Sequence, residues 1–220
     1  MTTSNISQDL PDSEISSLFT AADTALLLID HQPQMIFGAR SADPQTVVNN
    51  VTALAKLGKV FDVPTVLTSV AATTFAGPLI PEITRVRPDI EVIDRSYINA
   101  WQDGAFRAAV EATGRRRLLI AGLWTEVCVT FPALSAIEAG YEVFAVVDAS
   151  AGSSTAAHDA GIIRMSQRGV VPVSTASVLS ELQRSWARVE TYEAVNEIVS
   201  AHLGAWGQGV NYVRAGFSKS

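Results

Sequence analysis

The sequence predicts an α/β fold: a single doubly wound, Rossmann-like domain built on a six-stranded parallel sheet with helices on both faces. Short apolar runs alternate with amphipathic segments of helical length, which is the pattern of right-handed βαβ units. The chain has 220 residues, 48% of them hydrophobic, and it contains no repeat or linker that would divide it. This length and apolar content suit one domain with one large core.

Six short runs are the predicted strands. Ala25–Ile29 is wholly apolar and passes directly into Asp30, a pattern that favours a strand buried on both faces of a sheet. In chain order the strands are expected in TALLLI, VPTVLTS, EVIDR, RRLLIAG, YEVFAVV and VVPVS. Ligands of open parallel sheets bind beyond the carboxyl ends of the strands, so the residues after each run are the candidates for a functional site.

Helical periodicity predicts that the segments between and after the strands form helices. Apolar residues recur at three- and four-residue spacings between Pro44 and Phe61, which indicates an amphipathic helix. Further helices are expected at Leu79–Thr84, Phe106–Gly114, Cys128–Gly140, Ala156–Gly169, Ser177–Trp186 and Thr191–Leu203. Ser177 is the expected N-cap of its helix. The tail after Leu203 shows no clear period, so we expect it to be irregular unless a neighbouring subunit orders part of it.

The domain is expected to span residues 24–190. Residues 1–23 form a polar N-terminal extension with at most a short helix around Ser13–Phe19, and residues 191–220 form a C-terminal helix and tail. The tail carries Trp206, Tyr212 and Phe217, and aromatic side chains of this kind suit a subunit interface.

Composition argues against several classes of protein. The net charge of −6 disfavours a nucleic-acid partner, and no apolar run approaches the roughly 20 residues that a membrane-spanning helix needs. The single cysteine cannot form an intrachain disulfide, and the N-terminus has no signal-peptide pattern, so a cytoplasmic location is favoured. No GxGxxG follows the first strand and no GxxxxGK[ST] occurs, so we expect no cofactor.

Three residues of complementary chemistry come at the ends of different strands. Asp30 follows the first strand, Arg95 ends the third, and Cys128 comes six residues after the glycine that ends the fourth. Each has an ordinary interpretation as well: a turn cap for Asp30, a salt bridge with Asp94 for Arg95, and a small core residue for Cys128. Their shared edge of the sheet favours a site with Cys128 as nucleophile.

Cys128 is expected where the helix after the fourth strand begins. The partial positive charge at a helix N-terminus lowers the pKa of a thiol and favours its reactive form. Beside Asp30, His31 should point to the opposite side of its strand, away from Cys128. The histidines at 31, 158 and 202 lack metal-site spacing and no second cysteine is present, so we expect no metal site.

Three motifs resemble those of the isochorismatase-like cysteine hydrolases, most closely of their YcaC-like branch. LLLIDHQ is similar to the family's first motif, RSYINAW to its second, and GLWTEVCV to its third. Most of the family has Lys where this chain has Arg95, whereas the YcaC-like branch also has Arg. The resemblance extends from about Thr24 to Trp186 and implies the same doubly wound fold.

The resemblance implies a role for each matching residue. Cys128 would attack an amide carbonyl carbon, Asp30 would accept the thiol proton and later activate water, and Arg95 would orient Asp30. A non-proline cis peptide would join Leu123 to Trp124, and the backbone N–H groups of Trp124 and Cys128 would form an oxyanion hole.

The implied activity is metal-independent hydrolysis of a C–N bond in a small amide, carbamoyl or imide-like substrate, by a homo-oligomer that is a tetramer or octamer. The metal-binding Asp-x-His of nicotinamide-hydrolysing members has no counterpart in QPQMIFGARSAD, and members that act on isochorismate lack the cysteine. The expected substrate contacts, with Trp124 beside them, are Asn99, Trp101, Glu126 and Phe131. A catalytically silent oligomeric binding or assembly protein is the alternative, and redox sensing by Cys128 is a third, which lacks a resolving cysteine.

Overall fold

The computed structural model describes residues 17–217 of the chain. It contains one six-stranded sheet in the order β3-β2-β1-β4-β5-β6, and every neighbouring pair is parallel, which confirms the predicted fold class. The strands are β1 (Thr24–Ile29), β2 (Thr65–Val70), β3 (Val92–Arg95), β4 (Arg117–Gly122), β5 (Glu142–Val146) and β6 (Val171–Val173).

The strand order reverses direction between β1 and β4. From β1 the chain builds outward to β3 on one side, and then returns to build from β4 to β6 on the other. Both central strands are buried along their whole length, as the unbroken apolar runs predict. Such a reversal opens a crevice at the carboxyl ends of the two central strands, where ligands of these sheets bind.

The described residues form nine α-helices, which follow the strands and cover the sheet. They are α1 (Pro33–Gly38), α2 (Pro44–Val60), α3 (Pro81–Thr84), α4 (Gly104–Ala112), α5 (Thr130–Glu138), α6 (Thr155–Ser166), α7 (Thr175–Gln183), α8 (Val189–His202) and α9 (Gly204–Phe217). Two single π-helical turns, Ala72–Ala76 and Thr125–Val129, follow β2 and β4. None of these helices is long and apolar enough to cross a membrane.

Alternate residues of β1 enter two separate layers of core. Leu26 and Leu28 belong to one cluster, which contains side chains of α2, α7 and α8. Leu27 and Ile29 belong to the other, which contains side chains of α4, α5 and α6. This alternation follows from the two-residue period of a strand, and it places helices on both faces of the sheet.

Three details of the helix prediction are wrong. The six-residue α1 was not expected, because Pro33 at its start is its sole start signal and no side chain caps it. Helix α7 begins at Thr175 rather than Ser177, since Ser174 is the cap and its hydroxyl oxygen accepts the Ser177 N–H at 3.2 Å. The prediction chose Ser177, the serine nearest the periodic apolar residues, whereas the cap is Ser174, which precedes the helix.

The third correction concerns the tail, which is helical from Gly204 to Phe217 within a single chain. Its period was hidden by interspersed glycines, one of which lets the helix approach α8 closely: a Cβ at Gly207 would lie 2.5 Å from the Val199 carbonyl oxygen. Arg214 also pairs with Glu193 of α8 at 2.8 Å. The side chain of Phe217 lies outside the described residues.

The N-terminal extension is described from residue 17 onward. Phe19 is fully buried against Phe144, with ring centroids 5.2 Å apart, so the end of the extension belongs to the core. Residues 17–20 are not helical. The rest of the short helix expected around Ser13–Phe19 lies outside the described residues.

Candidate active site

Asp30 lies at the carboxyl end of β1, at the crevice between the two halves of the sheet. Its side chain is fully buried and its backbone is left-handed, with φ at 57°, a conformation that Asp tolerates better than most residues. The Asp30 N–H donates to the Thr68 carbonyl, and the Asp30 carbonyl accepts from the N–H of Gln32. The chain therefore turns sharply out of the sheet at the acid itself.

Arg95 reaches Asp30 from the end of β3. Its Nη2 lies 2.6 Å from Oδ2 of Asp30, and neither side chain is exposed to solvent. Since β2 lies between β3 and β1, the guanidinium spans the end of the intervening strand. It also donates to the carbonyls of Tyr97 and Ile98. The predicted meeting of the acid and the arginine at one edge is thus present in the structure.

Cys128 is carried by the π-helical turn Thr125–Val129, directly before α5. The N–H groups of Val127 and Cys128 both donate to the carbonyl of Trp124, at 3.1 and 2.9 Å. The thiol is buried and interacts with the Asp30 carboxyl group. The structure therefore brings Asp30, Arg95 and Cys128 together.

Burial dominates the acid–base properties of this trio. It raises the pKa of Asp30 to about 6, while the charge of Arg95 and the Cys128 thiol act in the opposite direction. Burial also raises the pKa of Cys128, and the neighbouring Asp30 carboxylate raises it further. The lowered thiol pKa expected from a helix N-terminus is therefore wrong for this resting site, because burial and the carboxylate outweigh the helix.

The resting site consequently holds its proton on sulfur. Above pH 6 the Asp30 carboxyl group is ionised, and its Oδ1, the oxygen that does not bond Arg95, has no hydrogen-bond partner among the described residues. A buried acceptor without a partner is costly unless it has a use. The Cys128 thiol interacts with this carboxyl group, so the site pairs a proton acceptor with a protonated thiol.

The peptide bond between Leu123 and Trp124 is cis, as the resemblance implies. The N–H of Trp124 is directed at the Cys128 side chain, where it favours the thiolate. The N–H of Cys128, in contrast, is bonded to the Trp124 carbonyl. Of the two N–H groups expected in an oxyanion hole, one faces the sulfur and the other has a backbone partner in the resting structure.

Trp124 is also fixed through its ring. The indole Nε1 donates to the Met35 carbonyl at 2.8 Å, and the ring fills the space beside Gly38, where a Cβ would lie 2.4 Å from Cζ2 of the indole. Helix α1, which the sequence did not predict, therefore holds the residue next to the cis bond.

The four expected substrate contacts have other partners in the structure. Asn99 caps a short 3₁₀ turn by accepting the Trp101 N–H at 3.0 Å, and Trp101 packs edge-on against Phe106 and Tyr141. None of these contacts involves Asp30, Arg95 or Cys128. The involvement of Asn99 and Trp101 in substrate binding stays a prediction.

Glu126 and Phe131 lie on the turn that carries Cys128 and on the helix after it. Glu126 Oε1 accepts from the backbone N–H and the hydroxyl of Ser153, at 3.0 and 2.6 Å, and the Phe131 ring lies 5.7 Å from the guanidinium of Arg164. Glu126 thus ties the turn to the loop before α6. Its contact with substrate, like that of Phe131, stays a prediction.

His31 points away from Cys128, as the strand geometry predicts. Its Nε2 lies 2.9 Å from the Ala149 carbonyl, and complete burial lowers the pKa of the ring to about 4. His31 is therefore neutral near pH 7 and donates from Nε2 to that carbonyl.

Two other polar residues around the site were given no role from the sequence. The Gln32 side-chain amide bonds both the N–H and the carbonyl of Val70, which ties the loop after β1 to the end of β2. His158 of α6 bonds the hydroxyl of Thr125 on the cysteine-bearing turn. Gln32 lies inside the first motif and gives a weak signal, whereas nothing in the sequence connects His158 to Thr125.

Within residues 17–217, no group of three or more His, Cys, Asp or Glu side chains could hold a metal ion.

Comparison with known proteins gives consistent matches. The family model described as the Isochorismatase domain matches residues 24–177. The probable hydrolase YcaC of Escherichia coli (strain K12) is 45% identical over 182 residues, which is 82% of this chain and 86% of that protein.

Two solved structures are similar over most of the chain. YcaC from Pseudomonas aeruginosa, with hexane-2,5-diol and covalent acrylamide, has a TM-score of 0.86 and 37% identity, and the match covers 90% of this chain and 98% of that one. YcaC from Escherichia coli, described as an octameric hydrolase of unknown specificity, has a TM-score of 0.86 and 39% identity, covering 90% and 97%.

Proposed function

This chain belongs to the isochorismatase family, and we propose that it is a metal-independent cysteine hydrolase that cleaves a C–N bond in a small amide, carbamoyl or imide-like compound. One observation carries the proposal: a fully buried Arg95–Asp30 ion pair whose carboxyl group interacts with the chain's single thiol. A nucleophile, a base and a group that orients the base form the arrangement that covalent catalysis needs.

The first half of the reaction transfers the acyl group to sulfur. Asp30 accepts the proton of Cys128 while Sγ forms a bond to the carbonyl carbon, and the carbonyl electron pair moves to oxygen. The electron pair then returns from oxygen to re-form the carbonyl group as the C–N bond breaks, which leaves a thioester, and the leaving nitrogen takes the proton from Asp30. The raised pKa of the thiol favours this coupled transfer over a preformed thiolate.

The second half regenerates the enzyme. Asp30, again a carboxylate, removes a proton from water as the water oxygen attacks the thioester carbon. The C–S bond breaks, a carboxylic or carbamic acid leaves, and sulfur recovers its proton from Asp30. The pKa of about 6 suits a residue that takes and returns a proton near neutral pH.

Arg95 keeps Asp30 ionised in a buried place. Its charge opposes the effect of burial on the Asp30 pKa, and its bonds to the Tyr97 and Ile98 carbonyls hold the guanidinium at the end of β3. An Arg does not deprotonate in proteins, so it supplies charge and orientation rather than a proton.

The reactivity proposed for the Cys128 thiol also draws support from a relative. The Pseudomonas aeruginosa YcaC structure contains covalent acrylamide, a small molecule with a carboxamide group. We propose that acrylamide bonds Cys128 in this chain, the sulfur adding to the terminal alkene carbon and the adjacent carbon taking the thiol proton.

The decisive experiment measures ammonia release from a panel of small amides, ureides and imides by purified protein. We expect turnover of at least one compound, and loss of that turnover in Cys128→Ala while circular dichroism shows an unchanged fold. Turnover that survives in Cys128→Ala would refute the cysteine mechanism. Activity retained after dialysis against EDTA would support its independence of metals.

We also propose that the chain forms a homo-oligomer in the cytoplasm. The Escherichia coli YcaC structure is described as octameric, and Trp186, Tyr192 and Trp206 make edge-on ring contacts at the surface of this chain. Light scattering after size-exclusion chromatography tests the assembly, and fractionation of cells tests the location. An oligomer without turnover on any compound would favour the alternative of a catalytically silent assembly protein.

A further inference from the structure

The position of Cys128 is set by Trp124, which precedes its turn, and by Thr125, the first residue of that turn. The N–H groups of residues 127, 128 and 129 all converge on the Trp124 carbonyl, at 3.1, 2.9 and 3.4 Å. Thr125 is fully buried, its N–H donates to the Ala151 carbonyl, and its own carbonyl accepts from the Thr130 hydroxyl at 2.6 Å. A shift of Thr125 would therefore move the whole turn and the thiol with it.

The Thr125 side chain has a single hydrogen-bond partner in the described chain, and that partner is His158 of α6. The hydroxyl oxygen lies 2.8 Å from Nδ1 of the imidazole. Burial lowers the pKa of His158, with Asp159 and Glu126 acting in the opposite direction. A neutral imidazole can accept a hydrogen bond from the hydroxyl at Nδ1 while its own proton is on Nε2.

Helix α6 and the loop before it pack closely against the turn. A Cβ at Gly161 would lie 3.0 Å from the Glu126 Cα, and one at Gly152 would lie 2.7 Å from Glu126 Oε2 and 2.9 Å from the His158 Cβ. Glu126 itself is bonded to Ser153, just before α6. The helix and the turn therefore contact each other through hydrogen bonds and through closely packed backbone.

We propose that His158 is a positioning residue, which holds Thr125 through their hydrogen bond and thereby keeps the Cys128 sulfur beside Asp30. Its catalytic meaning rests on the proposed cysteine hydrolase function. His158 forms no bond to substrate in this role. It acts on the nucleophile through the turn, 30 residues away in sequence.

The test is the second-order rate at which acrylamide labels Cys128 in the full chain, measured by mass spectrometry. His158→Ala and Thr125→Val each remove the bond, and we expect labelling slower by about 10- to 100-fold, since a displacement of roughly 1 Å at a reacting centre can have an effect of that size. Combining the two changes should slow labelling no further than either alone, because both remove the same interaction.

Conservative variants separate positioning from bulk structure. His158→Asn places an amide near the former Nδ1, and Thr125→Ser keeps the hydroxyl, so both should restore most of the rate. His202→Ala is the matched control: His202 is also a partly buried histidine, but its Nε2 bonds Lys56, and we expect the wild-type rate.

Four results would overturn the proposal. They are wild-type labelling in His158→Ala, equal loss in His158→Asn and His158→Ala, a loss that merely follows the fraction of unfolded protein, and a wild-type thiol inert to both acrylamide and iodoacetamide. Labelling needs no turnover. If the variants behave as expected and no amide is hydrolysed, the proposed function fails while the role of His158 stands.

Discussion

Two buried arginines lie at opposite ends of the parallel strands, at what we call the carboxyl edge and the amino edge of the sheet. Arg95 ends β3 at the carboxyl edge and, among the described residues, contacts the fully buried carboxylate of Asp30. Arg117 begins β4 at the amino edge, and its contacts within the described part of the chain include the carboxylates of Asp23 at 2.9 Å and Glu142 at 2.8 Å, whose side chains are 37% and 40% exposed. Arg117 also donates to the Leu18 carbonyl at 2.7 Å.

The difference separates the Arg117 site, which stabilises the fold, from the Arg95 site, which is suited to chemistry. At the amino edge the carboxylates stay partly solvated, so each charge is satisfied at little desolvation cost. At the carboxyl edge water is excluded, the pKa of Asp30 is raised, and Oδ1 of Asp30 has no partner among the described residues. Perturbed and incompletely satisfied groups of this kind cluster at functional sites.

The largest effect should come from removing the acid at the carboxyl edge. We expect Asp30→Asn to lower kcat/KM on a substrate of the panel by about 10²- to 10⁴-fold, the range for loss of a general base. Asp23→Asn makes the same change at the amino edge and should leave the activity of each folded molecule unaltered. Equal losses in the two variants would remove the distinction between the edges.

The second effect should appear in stability rather than activity. Arg117→Met leaves two carboxylates without their shared cation, and we expect the free energy of unfolding to fall by about 2–3 kcal/mol, or roughly 5–10 °C in Tm for a chain of this size. Arg116→Met is the control, because Arg116 pairs with the same Glu142 but is 70% exposed, and exposed pairs contribute about 0–1 kcal/mol. Thermal unfolding of both variants measures the contrast.

A third effect concerns the pH profile. Wild-type kcat/KM should rise with pH through about 6 as Asp30 ionises. In Arg95→Met the loss of the positive charge raises the pKa of Asp30, so the acid limb moves to higher pH, with about tenfold less activity below the limb for each unit of movement. Arg117→Met should keep its limb at the wild-type position, and an acid limb unmoved by Arg95→Met would contradict the role of that charge.

The smallest effect is a pair of opposed contributions to stability. His31 has a pKa of about 4 against 6.5 ordinarily, so its contribution is present above pH 6.5 and is lost as pH falls toward 4. Asp30 has a pKa of about 6 against 3.8, so the folded protein binds the extra proton, and its contribution grows as pH falls from 6 toward 3.8. Between these values the two oppose each other.

Asp30→Asn removes one of these two contributions. Between pH 6 and 4.5 we expect the free energy of unfolding of this variant to fall more steeply than that of the wild type, by up to about 1.4 kcal/mol per pH unit. Urea unfolding at several pH values measures the slopes. Parallel slopes for variant and wild type would show that the folded-state pKa of Asp30 is not raised.

Sequence patterns were sufficient to predict the sheet and the position of three residues at its carboxyl edge. Strands such as Ala25–Ile29 are apolar throughout because they are buried on both faces, and strand ends of a parallel sheet must share an edge. Asp30, Arg95 and Cys128 follow from those two facts and from the motifs, since each depends on a short stretch of chain.

What could not be predicted depends on distant parts of the chain. The pKa of Cys128 is set by burial and by Asp30, neither of which a helix-start pattern contains. His158 meets Thr125 from 33 residues away in the chain, and Gly207 hides the period of α9 while allowing that helix to pack. These features belong to contacts in three dimensions and leave no periodic signature.

The left-handed backbone at Asp30 also bears on how such a protein could lose its activity during evolution. With φ at 57°, position 30 accepts Asp, Asn or Gly far more readily than β-branched residues. A descendant that abandons hydrolysis and keeps its architecture should therefore most often carry Asn or Gly there. Within the family, the residue at this turn would then distinguish active enzymes from inactive relatives before any assay is run.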